Sequence, residues 1–123
     1  MVSYQKMDKK TLHLSLKKEW FDMIKSGEKK EEYREMTQYW KKRLTTIDEN
    51  KNKINSLVMT GQSIPMKDFK SVHFTLGYPK RDDKEKNMEF EFKGIEIRYG
   101  KKEWGAEEGK IYFVIKLGEK IYG

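Results

Sequence analysis

The chain contains no cysteine, which excludes disulfides and thiolate metal sites and is compatible with a reducing interior. It has only two histidines, His13 and His73. Their spacing is not that of paired ligands, so no metal or other cofactor is expected. No apolar run approaches the roughly 18 residues of a membrane-spanning helix. The opening stretch "MVSYQKMDKK" lacks the hydrophobic centre of a signal peptide. The expectation is a cytoplasmic protein with no membrane partner. Neither a P-loop nor a dinucleotide fingerprint is present, and "WGAEEGKIYF" reads as a connection into a last strand.

Charge, by contrast, is abundant. Asp, Glu, Lys and Arg make up 38% of the chain, against about 25% in an average domain. The 13% of aromatic residues fall mostly inside short alternating or periodic runs, which argues for a folded core over disorder. The formal net charge of +7 favours anions, nucleic acid and nucleotides among them, without conferring specificity. A chain of 123 residues fits one compact domain burying roughly 65% of its unfolded surface. Residues 1–10 read as a flexible leader and residues 11–123 as the domain.

Along the chain, "TLHLSL" sets Leu12, Leu14 and Leu16 against Thr11, His13 and Ser15, the period of a strand with one face in a core. In "KKEWFDMIKSG", Trp20, Phe21 and Ile24 lie at helical spacing, with Lys25 in the last turn and Gly27 as the stop, predicting a helix over Lys17 to Ser26. A second short helix is expected in "TQYWKKRLTT", with Thr37 as its N-cap. "IDENKNKIN" reads as a polar loop. From Phe69 onward the pattern is that of strands: "KSVHFTL", "MEFEFKGIEIRYG" and "KIYFVIKL". "GYPKRDDKEKN" is a solvated hairpin-like loop between the first two of these. Phe92 and Ile95 differ by three across Gly94, which predicts a bulge or bend in the long strand. Order and lengths give an α+β domain with a curved sheet or small barrel closed by several antiparallel strands.

The segment "SGEKKEEYREM", Ser26 to Met36, raises the sharpest question. On a helix Lys29 and Glu32 would be neighbours, but Arg34 would lie about 200° around the axis from Glu32, and the three charges would not converge. On a strand Glu32 and Arg34 share one face, while Tyr33 points to the other with Glu31 and Glu35. Two accounts fit this pattern: an edge strand protected from aggregation by its charges, or charges gathered to face a ligand.

Gly27, Lys29, Glu32 and Arg34 fit G-x-K-x-x-E-x-R, and in this the chain resembles the ASCH domain family, closely over Thr11 to Met36 and more loosely beyond. The resemblance implies a PUA-like small curved β-barrel of about five to seven strands with two or three flanking short helices. It also implies a cleft in which Lys29, Glu32 and Arg34 face RNA or a nucleotide-like ligand. Some members of the family look like ribonucleases or like amidohydrolases acting on acetylated cytidine. The amidohydrolase-like members carry Thr where this chain has Glu32, so the nucleophilic hydroxyl is missing here. A water-activating hydrolase using Lys29 and Glu32 stays open as an alternative, as does an adaptor whose basic surface docks an acidic protein. Glu32 and Arg34 as a purely structural ion pair at the mouth of the barrel is a further account of the same residues.

Other candidates surround this motif. Ser15 and Lys17, at the end of the first strand, would border the cleft if that strand lies beside the motif. Tyr78, Lys80 and Arg81 combine an aromatic platform with two cations, the set that stacks bases and neutralises phosphates; the plainer account is a turn made by Gly77 and Pro79. Trp40 with Lys41, Lys42 and Arg43 is a similar patch, although the helical spacing of Trp40 and Leu44 assigns the tryptophan to packing.

Overall fold

The computed structural model describes residues 9–46, 64–80 and 82–123. The leader up to residue 8, the whole of the polar loop "IDENKNKIN" and Arg81 lie outside these residues. The elements in order are β1 (Thr11–Leu16), α1 (Lys18–Ser26), β2 (Glu31–Arg34), α2 (Gln38–Leu44), β3 (Ser71–Leu76), β4 (Asn87–Tyr99), a single 3-10 turn (Lys102–Trp104) and β5 (Ile111–Tyr122). The result is an α+β fold in which one five-stranded sheet, ordered β1-β3-β4-β5-β2, curls into a half-barrel with two helices beside it.

Local chemistry accounts for the elements. Helix α1 ends where Gly27 adopts the left-handed conformation, φ 88°, and its N–H bonds the Ile24 carbonyl, as a glycine stop does. In α2 the Thr37 side chain accepts from the Trp40 N–H, filling one of the donors that the first helical turn leaves open. Strand β4 slips register against β5 between Phe92 and Ile95, with φ 111° at Gly94. The sheet bends there, as the broken alternation of the sequence predicts.

One pairing departs from the expected antiparallel series. β1 runs parallel to β3, Leu12 opposite Val72 and Leu14 opposite Phe74, whereas the remaining neighbours are antiparallel. A parallel pair needs a long crossover, and α1, β2 and α2 all lie between the two strands in the chain. On the outer face of the pair, His13 and His73 stand opposite each other with their Nδ1 atoms 3.1 Å apart, and His73 Nε2 lies 2.9 Å from Asn87 Oδ1.

Two apolar clusters hold the sheet from its two faces. The larger contains Leu12, Leu14, Leu16, Phe21, Ile24, Leu44, Phe74, Phe113 and Ile115 and seats both helices on the concave face. The smaller, Tyr33, Ala106, Tyr112 and Val114, packs on the opposite face beneath the β4–β5 connection. Removal of a fully buried side chain such as Phe74 to alanine would cost about 3–5 kcal/mol.

Open sheets leave two strand edges with unpaired backbone groups. Here the outer edge of β1 is covered by arginines: Arg43 Nη2 of α2 donates to the His13 carbonyl at 3.1 Å, and Arg34 Nη2 of β2 donates to the Ser15 carbonyl at 3.0 Å. Because β1 and β2 are the two ends of the strand order, the second bond brings the two edges of the half-barrel together.

Candidate functional site

Strand β2 lies antiparallel to β5, with Glu32 opposite Ile115, Tyr33 opposite Val114 and Arg34 opposite Phe113. Directly opposed residues share a face. Glu32 and Arg34 therefore point to the side of the larger core, and Tyr33 to that of the smaller, as two-residue alternation requires. Lys29 reaches the same place from the turn after Gly27, where its backbone N–H bonds the Met23 carbonyl.

The three charges meet there. Lys29 Nζ lies 2.7 Å from Glu32 Oε1, and Arg34 Nη2 lies 2.7 Å from Glu32 Oε2. The Lys29 and Glu32 side chains are 2% and 7% exposed and that of Arg34 is 18% exposed. Such burial is tolerated because one carboxylate serves two cations and each of its oxygens has a partner. Aromatic rings complete the shell: Lys29 Nζ is 4.6 Å from the centre of Trp20, and the Arg34 guanidinium is 4.9 Å from that of Trp40, both within cation–π range. Arg34 Nε is buried and has no acceptor among the described residues.

A cleft of about 590 Å³ opens over this network, between β1, β2, the start of α2 and the β4–β5 connection. Ser15 and Lys17 of the first strand border it, as do Glu32, Arg34, Trp20 and Trp40. On the far wall Lys110 bonds Glu35 at 2.7 Å, and that bond holds the ammonium above its ordinary pKa. Among the described residues of the "LGYPKRDD" turn, Gly77 reaches the cleft wall; Tyr78, 97% exposed, and the exposed Lys80 lie apart from it. Among the described residues no cluster of His, Asp or Glu is placed to hold a metal ion.

Two side chains at the site carry roles that the pattern of the sequence does not show. Trp20 and Trp40 both sit at helical spacing, and Trp40 packs against the larger core, yet each also presents its ring to a buried cation. Their signal in the sequence is position: each is the large aromatic in the first turn of a helix flanking the charged segment.

Behind β2 a second network lies on the opposite face. Arg98 makes two bonds to Glu31, at 2.7 and 3.1 Å, and a third to Glu96 at 2.8 Å. Tyr33 Oη donates to Glu31 at 2.6 Å and accepts from the Lys101 N–H at 2.9 Å. Burial pushes the Glu31 pKa up, but the bonds from Arg98 and Tyr33 outweigh it and hold the carboxyl below its ordinary value. Burial, joined by the bond to Glu31, drives the Tyr33 phenol well above the usual range. Every polar group in this network is satisfied, which marks it as a brace that fixes β2 against β4 and β5.

Comparison with protein-family models, with curated proteins and with solved structures gives no match to this chain.

Proposed function

We propose that this chain is a PUA-like domain of the ASCH type that binds RNA or a nucleotide-like ligand in the cleft above Lys29, Glu32 and Arg34. The observation that carries the proposal is the convergence of the three motif residues. They come from a turn and a strand, yet share one carboxylate at the floor of a cleft walled by two tryptophans. A pair serving only to blunt a strand edge would be solvated, whereas here it is buried beneath a cleft of about 590 Å³. Trp40, with the Arg34 and Arg43 guanidiniums 4.9 and 5.0 Å from its ring, makes a wall of aromatic and guanidinium planes of the kind that stacks bases, Lys17 stands at the rim, and the net charge of +7 favours an anionic ligand.

Glu32 has both oxygens engaged by cations at 2.7 Å. That arrangement suits a group that fixes the two cations for a ligand. A hydrolase with Glu32 as proton acceptor would first have to displace one of them.

The test is a titration with nucleosides, nucleotides, short single-stranded RNA and duplex RNA, on wild type and on Trp40→Ala and Lys17→Ala, with folding checked by circular dichroism. Loss of a base-stacking ring costs about 1–3 kcal/mol, so Trp40→Ala is expected to weaken binding about five-fold or more. Binding that is indifferent to both substitutions would overturn the assignment of the cleft.

A further inference from the structure

A second hollow, of about 790 Å³, lies on the other side of the Lys29–Glu32 pair: Lys29 borders this groove, and Glu32 borders the cleft. The groove runs between the end of α1 and the bulged stretch of β4 and β5. Its floor is apolar, formed by Ile24, Phe90 and Leu117, and Lys25, Lys30, Lys93 and Lys120 stand along its rim.

The charges of this rim are unevenly spent. Glu91 is occupied, accepting the Glu119 backbone N–H at 2.9 Å and lying 3.9 Å from Lys93. Lys25 and Lys30 have no carboxylate within ion-pair distance among the described residues, and Lys120 Nζ donates to the Gly123 oxygen at 3.1 Å. The carbonyl end of α1 contributes partial negative charge nearby, and Lys25 in its last turn offsets it. Four ammonium groups on flexible stems, with Glu91 and Glu119 as the carboxylates beside them, above an apolar floor suit a chain that carries phosphates outward and sugars and bases inward. A single strand exposes all of these, whereas a duplex buries its base faces.

We propose that the groove binds the sugar-phosphate chain of a single-stranded nucleic acid whose neighbouring base occupies the cleft, so that the ligand is an oligonucleotide and not a lone nucleoside. This rests on the nucleic-acid assignment of the cleft. The buried Lys29–Glu32 pair separates the two hollows, and the strand passes over the surface above it, with the hollows as two subsites of one ligand.

The experiment compares a nucleoside monophosphate with homopolymeric oligoribonucleotides of increasing length, over a series of salt concentrations. It uses wild type, the groove variant Lys25→Ala/Lys30→Ala/Lys120→Ala, and the equally charged control Lys70→Ala/Lys84→Ala/Lys102→Ala. Wild type is expected to gain affinity with length. The groove variant is expected to lose that gain while keeping its affinity for the monophosphate, and its salt slope should fall by about 2, at about 0.7 per phosphate contact on a single strand. An undiminished gain in the groove variant, or an equal loss in the control, would overturn the groove as a site. A monophosphate that binds with no gain on lengthening would overturn the groove and leave the cleft standing. Failure of every nucleic acid to bind would overturn both.

Discussion

Arg34 and Ser15 join the two edges of the sheet: the guanidinium of the last residue of β2 donates to a carbonyl on the outer side of β1 at 3.0 Å, while the same Nη2 holds Glu32 at 2.7 Å. One side chain thus closes the mouth of the half-barrel and sets the floor of the cleft. Lysine carries a compact, strongly hydrated charge on a shorter, flexible stem, and it lacks the planar guanidinium that lies 4.9 Å from the Trp40 ring. Arg34→Lys is therefore expected to lose about 1.5–3 kcal/mol of stability, the range for a hydrogen bond to a charged group. Amide exchange should rise along β1 before it rises in β4. Chemical denaturation with hydrogen exchange checks this; a variant as stable and as protected as wild type would show that the edge contact carries no weight.

Glu32 is the shared partner, so its loss should cost more than that of either cation. Glu32→Ala strands two buried positive charges and is expected to cost about 3–5 kcal/mol. Lys29→Met, which keeps the volume and leaves Glu32 its bond to Arg34, should cost about 1.5–3 kcal/mol. Urea midpoints of the two variants decide the order. The reverse order would mean that Lys29, against Trp20, is the centre of the network.

The brace behind β2 predicts pH dependence at both ends of the scale. The Glu31 carboxyl is held below its ordinary 4.5, so its contribution is present above that value and is lost as the pH falls through the lower pKa of the folded state. The Tyr33 phenol is held above its ordinary 10.0, so its contribution is present below that value and declines as the pH rises beyond it, where the unfolded chain ionises first. Thermal melts across pH should show a steeper acid decline in wild type than in Glu31→Gln, and a steeper alkaline decline than in Tyr33→Phe. Parallel profiles for wild type and variants would contradict the brace.

Gly105 links a loop to the site. It sits at φ 102°, and a Cβ added there would come within 2.9 Å of the Trp20 ring, the ring that covers Lys29. Gly105→Ala is expected to lose about 1–3 kcal/mol through backbone strain and to change the tryptophan fluorescence as Trp20 shifts. An unaltered spectrum would mean that the loop yields before the ring does.

Much of this arrangement was legible in the sequence because it depends on short-range periodicity. Leu12, Leu14 and Leu16 alternate and are buried; Gly27 stops a helix; Glu32 and Arg34, two apart, share a face. Gly94 breaks the alternation of β4 where the register slips. What the sequence withheld depends on long-range placement. Nothing local announces that β1 pairs parallel to β3, or that Glu31 finds Arg98, 67 residues away. Trp20 and Trp40 were hidden for another reason: an aromatic at helical spacing reads as core, and both also serve as lids on cations. The turn at Tyr78 and Lys80 has the composition of a nucleic-acid contact, yet of its described residues Gly77 alone reaches the cleft.

The most direct test of the cleft uses the three tryptophan side chains as reporters. Trp20 and Trp40 line it, whereas Trp104 packs against the smaller cluster on the opposite face. Nuclear magnetic resonance of the indole N–H signals during titration with short single-stranded RNA and with nucleotides is expected to move Trp20 and Trp40 together along one saturable curve and to leave Trp104 in place. Saturable binding that moves Trp104 alone, or none of the three, would place the ligand elsewhere and contradict the proposed function of the motif.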